Sequence, residues 1–259
     1  MIYAFSPEGV ACLDAVLDTG PLLAFDIDGT LAPIVEERSE ARIPDETQRL
    51  LRALAERLDV AVITGRAVDD ARRMLAFEPH DLVGNHGAEG IAAWETRTDG
   101  FARTVRRWHD ALRDCAALDA AGVSIEDKRF SLSLHYRQAT DHDAARSAIA
   151  ACIERLSPAP KVIDGKAVVN VLPPDAPDKG QALRALIAQS DAANALYVGD
   201  DDTDETVFGL HLPSVLTLRV EPSDESAAAL FVRDQREVLT LLRHIARRTN
   251  VVAGGTDRG

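Results

Sequence analysis

Apolar runs of strand length alternate with helical periodicity at both ends of the chain. Pro21 to Phe25 reads as a strand with no polar position, and Val60 to Ile63 reads as a second. Between them Leu50, Leu51, Leu54 and Leu58 recur at three- and four-residue spacings, which places them on one face of a helix from about Pro44 to Leu58. Pro44 suits the first turn of that helix, where no backbone donor is needed. The pattern resumes with a helix from about Lys179 to Ala188, a strand over Ala195 to Val198, a short helix near Glu205 and a strand over Val215 to Leu218. Strands without polar alternation are those covered on both faces, so the two ends are expected to share a parallel α/β sheet.

The middle of the chain reads differently. A helix near Ala102 to Ala117 precedes alternating strands at Val123 to Asp127 and Ser131 to Tyr136; a helix near His142 to Leu156 precedes strands at Lys161 to Ile163 and Ala167 to Val171. This αββαββ order predicts an antiparallel sheet with two helices on one face. Pro173, Pro174 and Pro177 then mark a linker. The expected division is a core over 1–93 and 173–259 with an inserted α+β domain over 94–172, and a frayed tail from about Arg247 to Gly259.

A hydrophobic fraction of 46% over 259 residues is enough for one large core, or for a core with a smaller appended domain. No apolar run approaches the roughly 20 residues of a membrane-spanning helix, and the first residues lack the basic-then-apolar pattern of an export signal. A net charge of −13 repels nucleic acid and anionic lipid, so neither is an expected partner, and a phosphorylated substrate must be drawn in by local charge. Cys12, Cys115 and Cys152 are odd in number and show no metal-ligand spacing. They are expected to be reduced, buried and without chemistry, in a cytoplasmic protein.

Two segments carry the chemistry. Leu22-Leu23-Ala24-Phe25-Asp26-Ile27-Asp28-Gly29-Thr30 is an apolar strand ending on two carboxylates one residue apart. At the carboxyl end of a parallel strand, one carboxylate can attack phosphorus while the other protonates the leaving oxygen and later deprotonates water. Val198-Gly199-Asp200-Asp201-Asp202-Thr203-Asp204-Glu205 is a second strand end, dense in acids that repel one another unless a hard cation such as Mg²⁺ is bound. Without such a cation the same string would read as a solvated acidic loop capping a helix. Thr64-Gly65, after the strand at Ile63, can hold a phosphoryl oxygen through a hydroxyl and a backbone N–H, and Lys179 can offset carboxylate and phosphate charge.

In this order the segments resemble the four motifs of the haloacid-dehalogenase-like phosphatase superfamily, with a middle insert that looks like its C2 type of cap. Further strings resemble one family within it, the trehalose-6-phosphate phosphatases: Gly84-Asn85-His86-Gly87-Ala88-Glu89, then Glu126-Asp127-Lys128, Ser131, His135-Tyr136-Arg137, and Gly199 to Glu205. The resemblance implies Asp26 as nucleophile and Asp28 as general acid and base. It implies Asp26, the Asp28 carbonyl and Asp200 as Mg²⁺ ligands, with Asp201 and Asp204 in support, and Glu126, Lys128 and Arg137 as sugar-holding positions. The implied reaction is Mg²⁺-dependent hydrolysis of trehalose 6-phosphate through an aspartyl-phosphate. A small sugar phosphate is the expected partner, and the chain is expected to be a monomer.

One string departs from the family. Where a Glu and then a basic residue usually precede a proline, this chain has Val169-Asn170-Val171-Leu172-Pro173. Strand alternation turns Asn170 away from Val169 and Val171, and the side chain is expected to be exposed to the active-site cleft. The departure keeps other sugar phosphates in play, such as sucrose phosphate or glucosylglycerol phosphate, as well as a phosphosugar mutase. Receiver domains also set an Asp, a Thr and a Lys on a parallel sheet, but they lack the second acid two residues on and the cap.

Overall fold

The fully apolar segments of the two chain ends lie side by side in one sheet. The computed structural model describes residues 1–35, 40–165 and 167–251, and the chain divides into two units, Met1–Gly90 with Asp178–Gly259, and Ile91–Pro177. In the first unit the elements, numbered in chain order, are β1 (Ile2–Tyr3), α1 (Pro7–Leu17), β2 (Leu22–Phe25), α2 (Asp45–Ala55), β3 (Val60–Ile63), α3 (Val68–Met74) and β4 (Asp81–Val83). After the second unit follow α7 (Lys179–Gln189), β9 (Ala195–Gly199), α8 (Glu205–Phe208), β10 (Val215–Val220), β11 (Leu230–Val232) and α9 (Glu237–Arg248). The strands pair in parallel in the order β1-β11-β10-β9-β2-β3-β4.

Period-two geometry divides these strands between two apolar layers. Leu23, Phe25, Val60, Val62, Leu196, Val198, Leu218 and Val220 form one core with Leu13 of α1, Leu50, Leu51 and Leu54 of α2, and Leu241, Leu242 and Ile245 of α9. The alternate residues Leu22, Ala24, Ala61, Ile63 and Tyr197 have no exposed surface either, and the Tyr197 ring meets Phe208 of α8 edge-on. Burial on both sides is why β2, β3 and β9 read as unbroken apolar runs.

The second unit holds α4 (Glu95–Arg113), α5 (Ala116–Ala120), β5 (Ser124–Asp127), β6 (Leu132–His135), α6 (His142–Ile153), β7 (Lys161–Gly165) and β8 (Val168–Leu172). Its antiparallel sheet runs β5-β6-β8-β7. Val105, Trp108 and Leu112 of α4 and Ala145 and Ile149 of α6 pack with Leu132, Leu134, Val169 and Val171. No helix among the described residues is long and apolar enough to cross a membrane.

Three expectations need correction. The helix expected to run on to Ala117 breaks after Arg113, because Cys115 leaves the helical backbone and is bonded to Cys152 of α6. The two cysteines are therefore a cross-link, and Cys12 alone is free. Arg247 and Arg248, assigned to a frayed tail, belong to α9; residues 252–259 of that tail lie outside the described residues.

The bridge closes a segment with a sequence separation of 37, which by loop-closure entropy corresponds to about 4 kcal/mol. Cys152→Ala, or reductant, is expected to destabilise the second unit by up to that amount in urea denaturation. Identical curves with and without reductant would mean that the cysteines do not pair.

Candidate active site

β2 and β9 are neighbours, yet the chain leaves β2 toward β3 and β4 and leaves β9 toward β10 and β11. Loops that part in opposite directions open a crevice at the carboxyl ends of the two strands, the usual ligand position in open parallel sheets. Asp26 leaves β2 there, its N–H donating to the Val198 carbonyl at 3.0 Å, and Asp200 follows β9.

Two glycines let the acids converge. Gly29 sits in the left-handed region at φ 83°, and a Cβ on it would lie 2.0 Å from Asp200 Oδ2. A Cβ on Gly199 would lie 2.3 Å from Asp204 Cγ. One carboxylate oxygen from each of Asp26, Asp200 and Asp204 falls within a 4.8 Å group. Thr30 Oγ1 lies 3.4 Å from Asp200 Oδ1.

Lys179 enters this group from the first turn of α7. A capping box holds that turn: Asp178 Oδ1 accepts from the Gln181 N–H at 2.8 Å, and Gln181 Oε1 accepts from the Asp178 N–H at 3.1 Å. Lys179 Nζ, on a side chain only 1% exposed, lies 2.8 Å from Asp204 Oδ1, 3.3 Å from Asp26 Oδ2 and 4.0 Å from Asp201 Oδ1. Asp204 Oδ1 also accepts from the Tyr197 hydroxyl at 2.5 Å, and its Oδ2 accepts from the N–H groups of Asp200 and Asp201 at 3.0 and 3.1 Å. Asp201 Oδ1 accepts from both the N–H and the hydroxyl of Thr203.

Burial sets the protonation balance. It pushes the Asp26 carboxyl well above the usual range; Lys179 opposes the shift, and Asp204, Asp201 and Asp200 add to it. Burial likewise raises Asp204 against Lys179. For Lys179 burial works to discharge the ammonium, but Asp204 and Asp26 outweigh it and carry its pKa well up. Asp201 is held below the ordinary carboxylate range, burial being outweighed by Lys179 and the Thr203 hydrogen bond.

A hard cation fits this donor set. Asp26 Oδ1 is buried with no hydrogen-bond partner, an expense that a cation would remove. Asp204 is different: both its oxygens are engaged by Lys179, Tyr197 and two backbone N–H groups, which suits it to orient Asp200 and Asp201.

Asp28 and Thr64 are set from the adjoining strand end. Thr64 is fully buried, and its Oγ1 accepts from the Arg66 N–H at 3.3 Å. Arg66 forks onto Asp28, donating from Nε to Oδ2 at 2.7 Å and from Nη2 to Oδ1 at 2.6 Å. Beside Gly65 there is no room for a side chain, since a Cβ would lie 2.4 Å from the His86 ring. No role for Arg66 is legible in the sequence, because nothing local in the string reveals that a residue at the end of β3 reaches one after β2.

In the second unit the register aligns Glu126 with Ser133, Ser133 with Asn170, and Asn170 with Ile163. Residues directly opposite in antiparallel strands share a face, so Glu126, Ser133 and Asn170 form a polar row on the face away from the α4 and α6 core. Asn170 is only 6% exposed, which corrects the expectation of an exposed amide. Its Oδ1 accepts from Ser133 Oγ at 2.7 Å, and its Nδ2 donates to the Ile163 carbonyl at 3.5 Å. Glu126 Oε2 meets His135 Nε2 at 2.9 Å. Lys128 is buried in the turn after β5, whereas Arg137 lies beyond β6 and is exposed.

The sequence model of the trehalose-phosphatase family matches residues 24–234. The chain belongs to the trehalose-phosphatase family. A Mycobacterium tuberculosis protein named trehalose-phosphate phosphatase is 28% identical over 239 residues, covering 88% of this chain and 61% of that protein. A second protein of that organism, named an uncharacterized glycosyl hydrolase, is 36% identical over 206 residues, 73% of this chain and 15% of its own. The chain thus spans less than two thirds of these relatives. A crystal structure titled trehalose-6-phosphate phosphatase related protein superposes with a TM-score of 0.74 at 25% identity, covering 87% of this chain and 97% of the other. A haloacid dehalogenase-like hydrolase from Bacteroides thetaiotaomicron shares the fold, with a TM-score of 0.60 at 16% identity over 87% of this chain and 99% of its own.

Family membership and the acidic cluster make a direct test of cation binding. Mg²⁺ at a hundred times its dissociation constant is expected to stabilise the protein by about 2.7 kcal/mol, read as a rise in Tm. In Gly29→Ala, whose Cβ displaces Asp200, that rise should be largely lost. An unchanged Mg²⁺ response in the variant would remove Asp200 from the site.

Proposed function

We propose that this chain hydrolyses trehalose 6-phosphate to trehalose and phosphate, with units over about 1–93 and 173–259 and over 94–172 acting as catalytic core and cap. The single observation that carries the reading is Asp26: buried at the switch point of the sheet, 3.3 Å from Lys179, with one oxygen lacking any hydrogen-bond partner and an acidic cluster beside it. Family membership directs it toward a sugar phosphate.

Asp26 attacks phosphorus, the bond from phosphorus to the sugar oxygen breaks, and Asp28 gives that oxygen its proton. Asp28 then takes a proton from water as water attacks the phosphoryl group, and the bond from phosphorus to Asp26 breaks. Asp26, Asp200 and the Asp28 carbonyl would hold Mg²⁺, with Asp201 and Asp204 orienting them. Bound there, Mg²⁺ supplies charge against the phosphoryl oxygens. Thr64, the Gly65 N–H and Lys179 hold and neutralise the phosphoryl group. Glu126, Lys128, Arg137 and Asn170 hold the sugar; for Glu126 and Asn170 support comes from their shared polar face.

The acidic cluster is assembled within one chain, which favours a monomer. A cytoplasmic location agrees with a phosphorylated-sugar substrate, while the Cys115–Cys152 bond is of a kind rare in reducing compartments.

Phosphate release from trehalose 6-phosphate, sucrose phosphate and glucosylglycerol phosphate, with Mg²⁺ and with EDTA, tests the reading. Trehalose 6-phosphate should be preferred and EDTA should abolish turnover. Asp26→Asn is expected to lose more than about a hundredfold in kcat, upward of ~2.7 kcal/mol. A folded variant retaining more than that fraction ends the nucleophile assignment.

Lys128→Ala should raise KM for the disaccharide phosphate by about tenfold, the scale of a charge-assisted hydrogen bond. A small aryl phosphate, which offers the cap no sugar, should lose little. Equal losses on both would move Lys128 out of sugar binding.

A further inference from the structure

The string Gly84-Asn85-His86-Gly87-Ala88-Glu89 has no part in the chemistry described so far, yet its backbone is unusual. Asn85 and His86 are consecutive, buried and left-handed, at φ 51° and 57°. Such conformations cost energy in residues with side chains and persist where their surroundings over-determine them. Here the surroundings are the end of β3. Asn85 N–H donates to the Arg66 carbonyl at 2.7 Å, and His86 N–H donates to the Thr64 carbonyl at 3.0 Å. Glu89 Oε2 accepts from Asn85 Nδ2 at 2.8 Å and from the Val68 N–H at 2.9 Å. A Cβ on Gly84 would lie 2.7 Å from the Arg66 carbonyl. The loop therefore grips the backbone on both sides of Arg66.

The Arg66 side chain is gripped as well. It is 2% exposed, and its Nη1 donates to Asp70 Oδ2 at 2.8 Å while Nε and Nη2 hold the two oxygens of Asp28. A fork onto both oxygens fixes the plane of the carboxyl group, which a single donor cannot do. A carboxylate has about four lone-pair sites, so the fork can hold the plane while a proton moves on or off another. The same Asp28, 34% exposed, is the group assigned proton transfer.

We propose that Arg66 is a positioning residue, braced by Asp70 and the Gly84–Glu89 loop, that orients the Asp28 carboxyl toward the oxygen leaving phosphorus. The inference rests on the phosphatase reading. Its consequence is selective: a sugar alkoxide leaves only with a proton, whereas a dinitrophenolate leaves without one. The parameter kcat/KM reports the steps up to departure of the leaving group and excludes the later attack of water.

The full chain with Mg²⁺ is assayed on trehalose 6-phosphate and on a dinitrophenyl phosphate. Arg66→Gln and Arg66→Lys are expected to lower kcat/KM for the sugar phosphate by about thirtyfold or more, on the scale of a misoriented catalytic group, and for the aryl phosphate by no more than about threefold. Lysine keeps the charge but not the fork. Asp70→Asn should move the ratio in the same direction by a smaller factor, and it carries the comparison should Arg66→Gln fail to fold. Equal losses on both substrates would place Arg66 at the phosphoryl group or in the fold and overturn the proposal, as would full sugar-phosphate activity in Arg66→Lys. A wild-type chain inert toward both overturns the phosphatase reading itself, a result distinct from equal losses in the variants.

Discussion

Lys179 brings an ammonium into a place with 1% exposure, and the candidate site is arranged around that charge. Its contacts join three distant segments: Asp26 after β2, Asp201 and Asp204 after β9, and its own position in the first turn of α7. Removing one partner of a buried ion pair leaves the other uncompensated, typically at 3–5 kcal/mol. The supporting details follow from the need to keep that pair satisfied. The capping box fixes where Lys179 starts, Gly199 makes room for Asp204, and the Tyr197 hydroxyl, in a ring with no exposed surface, donates to the oxygen that Lys179 shares. The carboxylates exceed the one ammonium, and the orphaned Asp26 Oδ1 is where that excess becomes visible.

The second unit solves a different problem with the same alternation. Its sheet has one face of Leu132, Leu134, Val169 and Val171 against α4 and α6, and a row of Glu126, Ser133 and Asn170 on the other. A strand with only one apolar face can spend the other on recognition, which the strands of the parallel sheet, covered on both sides, cannot do. The bond from Ser133 to Asn170 shows how far the row is built in: the amide is part of the sheet's own hydrogen bonding.

What was legible in the sequence is what is local. β2, β3 and β9 announce themselves as unbroken apolar runs, and Asp26, Asp28, Asp200 and Lys179 stand next to element ends that periodicity alone locates. Short or edge elements such as β1 and β11, of two and three residues, carry too few positions for a period to register. Contacts made across the fold were not legible at all. The Cys115–Cys152 bond needs two helices to meet, the Arg66 fork needs β2 and β3 to be neighbours in register, and the burial of Asn170 depends on surroundings that alternation does not describe.

The charge of the whole molecule makes the local arrangement matter more. At −13 the average field opposes a phosphate dianion, and within the cluster Asp26, Asp200, Asp201 and Asp204 face the single ammonium of Lys179. If all are ionised, the site itself is anionic, and Lys179 is already committed to Asp204 at 2.8 Å. The lysine alone therefore cannot make the crevice attractive to a phosphoryl group. On the proposed function a bound divalent cation would nearly balance the cluster and would leave the Thr64 hydroxyl and nearby backbone N–H groups to act on the phosphoryl oxygens without opposition from bare carboxylates. Metal and substrate occupancy would then be linked through charge: the cation would remove a repulsion before it contributed any attraction, and the anionic substrate would in turn tighten the hold on the cation by the same factor.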